Sequence, residues 1–209
     1  MRGAAFLRRF VRDEQGATIV EFAIIALPLC TLLMGGLDLG YQSYVRSTMQ
    51  GALNDAARKA AVRDPSFTTE GDTVEEKVEN YILNVTNKVA VNAEIDVTMQ
   101  SYFDFSDIGN PEKLMTDVNA DGKYDEFDGD CFEDANENGE FDSDAGTDGR
   151  GGANDVVFYR ASIAMPRLLP WHNFVPGLSD TIDMELETAV RSQPYGNQKT
   201  APVVCGTAM

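Results

Sequence analysis

Basic residues are scarce in this 209-residue sequence: 17 Lys and Arg stand against 34 Asp and Glu, a formal net charge of −17. That balance argues against nucleic acid as a partner, since phosphate backbones are held by clustered Lys and Arg. Histidine is scarcer still, with His172 alone, and the three cysteines are scattered at 30, 131 and 205. Such spacing argues against a zinc site. No nucleophile–base pair, nucleotide loop or HExxH stretch occurs, so no enzyme is expected. His172 lies beside Trp171 in a proline-rich stretch and reads as ordinary surface rather than as a catalyst.

The charge that is present is segregated. The first twelve residues hold four Arg (Arg2, Arg8, Arg9 and Arg12) and no acid, whereas Asp117 to Asp148 holds thirteen Asp or Glu against one Lys. Ala17 to Leu37 reads ATIVEFAIIALPLCTLLMGGL, with Glu21 as its single charge. At 1.5 Å per residue this run spans about 31 Å, the thickness of a bilayer core. The arginines ahead of it hold the start in the cytoplasm and send the rest across. A removable secretory signal would cut after a small residue; Gly35-Gly36 could serve, but there is no A-x-A pattern and the run is long. A lipoprotein signal ending at Cys30 fails on the bulk of Leu29. Cys30 is instead expected to act as a small buried hydrophobe.

Glu21 decides between these readings. A carboxylate in a membrane span is costly and so calls for a partner and a function. If a peptidase cuts after Gly16, the new amine is Ala17, and Glu21 becomes the fifth residue, followed by Phe22. Amine and carboxylate on neighbouring subunits could then neutralise each other. Glycine before the cut suits a protease that binds the backbone closely. This arrangement resembles the type IV prepilin processing site.

Beyond Asp38 the pattern stays helical, with Tyr41, Tyr44, Val45, Thr48, Met49, Ala52, Leu53, Ala56, Ala57, Ala60 and Ala61 at three- and four-residue steps. Asp64-Pro65 is expected to end it. One helix from Ala17 to Val62 would be about 69 Å long, with Pro28 and Gly35-Gly36 expected to kink or loosen it. Here the sequence looks like the opening of the TadE-like family, minor pseudopilins of the tight-adherence (Tad) pilus. The resemblance rests on Gln15-Gly16, Val20-Glu21-Phe22-Ala23, Leu27-Pro28-Leu29 and Ala56-Ala57-Arg58-Lys59-Ala60-Ala61, together with the ending Thr188 to Tyr195. It implies a single-pass protein of the bacterial inner membrane, its N-terminus cytoplasmic and its main domain outside. It also implies a prepilin peptidase, other Tad pilins and pseudopilins, and an inner-membrane assembly platform as partners. The acidic middle departs from the family's compact form.

The remainder reads as an α+β domain. Thr73-Val74-Glu75-Glu76 looks like a capping box opening a helix to Ala90. Ala93 to Gln100, Asp155 to Met165 and Thr181 to Arg191 read as strands of a three- or four-stranded antiparallel sheet. Pro166 to Gly177 reads as a long hairpin connection. The expected organisation is a leader (1–16), a transmembrane part of a long helix (17–37), its continuation (38–62) and a pilin-like domain (63–209) with an acidic insertion (104–154).

Within that insertion Asp117, Asn119, Asp121, Gly122, Lys123, Asp125 and Asp128 match positions one, three, five, six, seven, nine and twelve of a calcium loop. Lys123 would offer only its carbonyl. A degenerate copy begins 17 residues later with Asp134, Asn136, Asn138 and Asp142; Ala145 stands at position twelve, so Asp142 or Asp144 must complete it. Alternate oxygens around two placed glycines point to calcium, one ion with a second in the copy, although the flanks do not look like EF-hand helices. Cys131 and Cys205 lie in the part placed outside the membrane and are candidates for a disulfide. The rival reading is an uncleaved, membrane-anchored calcium-binding adhesin that enters no filament.

Overall fold

The computed structural model describes residues 14–90, 92–193 and 195–207. Its elements are α1 (Glu14–Ala60), α2 (Val74–Val89), β1 (Glu94–Tyr102), β2 (Leu114–Thr116), β3 (Cys131–Glu133), β4 (Thr147–Asp148), β5 (Val156–Pro166), β6 (Thr181–Arg191) and β7 (Val203–Cys205). They divide into two compact units. One holds the chain up to Tyr44 with the β5–β6 connection, Arg167–Asp180; the other holds Val45–Pro166 and the chain from Thr181 onward. The expected leader arginines lie outside the described residues.

In the first unit α1 is exposed almost all round: Phe22, Leu27 and Leu32 each show more than 70% of their surface. A helix that is apolar on every face has no water-facing side and needs lipid or other helices around it. It is the one described helix long and apolar enough to cross a membrane. Pro28 lies inside it without ending it. Cys30, expected to be buried, is exposed, because no described residue covers this stretch. Where the apolar run gives out, Asp38 is buried: its Oδ2 accepts from Gln42 Nε2 at 2.8 Å and lies 3.6 Å from Arg167 Nη1.

In the second unit the remainder of α1 and α2 cover one face of a four-stranded antiparallel sheet, ordered β4-β1-β5-β6. The register is set by side-chain alternation. Ile163 lies between Ile95 and Met184, and Tyr159 between Met99 and Thr188, so the inward rows meet across three strands. Onto them pack Val45, Met49, Leu53, Ala56, Ala57 and Ala60 of α1 with Val78 and Ile82 of α2. Each fully buried Leu, Ile, Val or Met there contributes about 1.5–3 kcal/mol. The outward row carries Arg160, paired with Glu185 and Glu187 at 3.0 and 3.1 Å. Thr73 and Glu76 form the capping box of α2, and Thr86 Oγ1 ties this helix to Met49 Sδ at 2.9 Å.

α1 ends at Ala60, short of Val62 and of Asp64-Pro65. Its end is held by distant groups: Gln193 N–H donates to the Ala61 carbonyl at 2.8 Å and Arg150 Nη2 to that of Val62 at 3.1 Å. From the insertion, β2 and β3 form a second sheet with β7 near the end of the described chain, ordered β2-β3-β7, in which Cys131 lies opposite Cys205 and is disulfide-bonded to it.

Candidate assembly helix and acidic loops

The two acidic loops fold alike. In the first, Asp117 Oδ1 and Oδ2 accept the N–H groups of Asp121 and Gly122 at 3.3 and 2.8 Å, and Asn119 Oδ1 accepts that of Asp121 at 2.9 Å. In the second, Asp134 takes the N–H groups of Asn138 and Gly139 at 3.1 and 2.8 Å, and Asn136 Oδ1 that of Asn138 at 3.0 Å. Position four is left-handed in both, Ala120 and Glu137 at φ 59°, and position six follows with Gly122 at 78° and Gly139 at 83°. A left-handed non-glycine is strained. Its recurrence at one position of both loops marks it as part of the turn.

The loops form a pair. Tyr124 and Phe141, each at position eight, stack with ring centroids 4.8 Å apart, and Phe132 meets both edge-on at 4.9 and 5.5 Å. Two carboxylates that the spacing did not single out brace them. Asp130, fully buried, accepts from Val118 N–H at 2.8 Å and Asp125 N–H at 2.9 Å. Glu112, also buried, accepts from Ala135 N–H at 2.7 Å and Asp142 N–H at 3.0 Å. Burial pushes the Glu112 carboxyl above its ordinary range; those two N–H groups oppose the shift, while the charges of Asp134 and Asp142 reinforce it.

The expected ligands divide accordingly. Asn119 Nδ2 lies 3.3 Å from Asp121 Oδ2 and 2.6 Å from Asp128 Oδ2, so positions three, five and twelve converge. Asp125 turns instead to Phe127 N–H at 2.8 Å, and Lys123 donates its own N–H to Asp121 Oδ1 at 2.8 Å. In the second loop Asn136 and Asn138 both donate to Asp142 Oδ2 at 2.7 Å, whereas Asp144 accepts from Gly146 N–H and faces Tyr102. Oxygen-only donors of this kind suit a hard divalent cation. Among the described residues, however, no three Asp, Glu, His or Cys side chains are grouped to hold a metal; amide nitrogens lie between the carboxylates.

On α1, the backbone of Gly16 and Ala17 is helical, Glu21 is exposed and Phe22 shows 71% of its surface. Residues 16–58 match the family model described as TadE-like protein. The similarity is confined to this part of the chain. The match opens at Gly16, takes in Ala17, Glu21 and Phe22, and ends two residues before α1 does. The matched segment thus joins the exposed apolar stretch to the helical stripe buried in the second unit, and it stops short of the acidic loops. Neither the comparison with curated proteins nor that with solved structures gave a match.

Proposed function

We propose that this chain is a minor pilin or pseudopilin of a tight-adherence pilus, cut after Gly16 by a prepilin peptidase. The observation that carries this reading is the TadE-like match, which begins at Gly16 and contains Glu21 on an apolar helix exposed on all sides. Such a helix is stored in the bacterial inner membrane, N-terminus toward the cytoplasm, and transferred into a bundle of like helices. Glu21 there meets the Ala17 amine of a neighbour, removing two charges from an apolar setting in one contact. The partners are the peptidase, other Tad pilins and pseudopilins, and the inner-membrane assembly platform.

The paired acidic loops are read as calcium-binding. Support comes from their matching folds and from the carboxylate and amide side chains spaced alike along them: Asp117, Asn119, Asp121 and Asp128 in the first, Asp134, Asn136, Asn138 and Asp142 in the second. Calcium there offsets like charge and stabilises the insertion; it enters no chemical step.

The test is mass spectrometry of the N-terminal peptide of membrane-extracted protein, beside a Gly16→Leu variant. A start at Ala17 that is lost in the variant supports processing and pilus assembly. An intact Met1 would replace this reading with the anchored adhesin, and a start near Leu37 with a secreted protein.

A further inference from the structure

The β5–β6 connection contrasts with the rest of the chain. From Leu168 to Ser179 it reads LLPWHNFVPGLS, twelve residues without Asp, Glu, Lys or Arg, in a protein that is 24% charged. It is built rather than slack. Arg167 N–H bonds the Asp180 carbonyl at 3.0 Å and Arg167 Nε the Ser179 carbonyl at 2.8 Å, closing the neck. Inside the loop a 3-10 turn, Trp171–Asn173, is followed by Phe174 and Val175 N–H groups that both bond the Trp171 carbonyl at 2.9 Å. This order leaves apolar side chains outside: Leu168 is 51% exposed, Val175 47% and Phe174 76%, as bare as Leu27 and Leu32 of the spanning stretch.

The position of the loop supplies the occupant. It forms one unit with α1 up to Tyr44, and Arg167 is fixed to Asp38, the residue that follows the last position of the apolar run. The ion pair is largely shielded, with side-chain exposures of 17% and 6%, so the loop is held at the height where the span ends. A tryptophan, a phenylalanine and leucines on a segment that carries no formal charge of its own, bounded by Arg167 and Asp180, match at that height the aromatic belt of membrane proteins, where amphipathic rings sit among lipid headgroups. We propose that the 167–180 loop lies in the interfacial layer of the bilayer beside the end of α1, with Trp171 and Phe174 among the headgroups. The inference rests on the membrane-spanning reading of α1. It gives the subunit a second lipid contact, one that fixes the depth and tilt of the helix and must be released when the helix leaves the membrane.

Trp171 is the sole tryptophan of the sequence, so the chain carries its own probe. Reconstituted into phosphatidylcholine–phosphatidylglycerol vesicles, it should float with them. Its emission should fall roughly twofold when the lipids are brominated near the headgroup end of the acyl chains, with little quenching by aqueous acrylamide. Phe174→Ser, a change at an exposed site, should weaken the lipid quenching and admit acrylamide. Three results would overturn the proposal. If Trp171 of floating protein is open to acrylamide, the loop is in water. If neither quencher reaches it, protein covers the loop, as a second copy would. If the chain does not float, the spanning reading falls and takes this inference with it.

Discussion

Glu112 stands to the second acidic loop as Asp130 stands to the first: each buried carboxylate accepts the N–H groups of its loop's second and ninth residues. The two come from opposite sides in sequence, Asp130 thirteen residues after the start of its loop and Glu112 twenty-two before the start of the other. A shared brace reached from unrelated positions means that the pairing of the loops is a property of the fold, not of a duplicated sequence alone.

Removing a brace should therefore loosen one loop before the other. Asp130→Ala strips the acceptor from two N–H groups, at a cost of about 1–3 kcal/mol. The expected outcome is faster amide exchange at Val118 and Asp125, with Ala135 and Asp142 changed less. Glu112→Ala should give the converse pattern, and equal loosening of both loops in either variant would show that they do not open separately.

Calcium should stabilise the same region. At a free calcium concentration a hundredfold above Kd, one ion adds about 2.7 kcal/mol to the folded state. Thermal melts in calcium and in chelator should differ accordingly. Asp117→Asn should remove most of that difference, and Asp134→Asn the portion due to the second loop. Melts unmoved by calcium would leave the loops as structure alone.

Tyr159 lies in the core with its Oη buried and without a hydrogen-bond partner among the described residues. A buried hydroxyl left unpaired costs about 1–3 kcal/mol, so Tyr159→Phe should raise the melting temperature at neutral pH. Burial also pushes the phenol from 10.0 up to about 12. The unfolded chain ionises above pH 10 while the folded one keeps its proton, so this contribution is whole below pH 10 and is lost as pH rises toward 12. The variant should show a shallower alkaline decline, since Tyr102, which burial and Asp144 push up to about 12, and Tyr124, which burial also pushes up, still contribute to it.

The Cys131–Cys205 bond spans 74 residues. Loop-closure entropy for that length corresponds to about 4 kcal/mol lost on reduction. Reduction, or a Cys131→Ser and Cys205→Ser double variant, should lower the denaturation midpoint of the insertion while leaving the core amides of β5 protected. Uniform loss of protection would show that the insertion and the larger sheet unfold as one.

The sequence was informative where a local rule acts alone. The Thr73–Glu76 capping box, the alternation of Thr181–Arg191 and the turns at Gly122 and Gly139 each follow from neighbours within a few residues. It was silent where the cause is distant. β2, β3 and β7 are three residues each and β4 two, too short to show any period; they exist because partners remote in sequence pair with them. Asp130 and Glu112 looked like two more acids among many, since only burial distinguishes them. The helix α1 ends before the Asp64-Pro65 stop that the local rule predicts, and Gln193 and Arg150 hold the carbonyls just beyond Ala60.

The central position of β3 carries a further consequence, one of timing. β3 pairs with β2 on one edge and with β7 on the other, and β7 is synthesised some 70 residues later. Until Val203–Cys205 arrives, the insertion is a two-stranded ribbon with an open edge, an arrangement of marginal stability in water. The acidic loops thus mature last, after the larger sheet has both of its long neighbours in place. A nascent chain passes through a stage in which its core is complete and its charged loops are still unlatched.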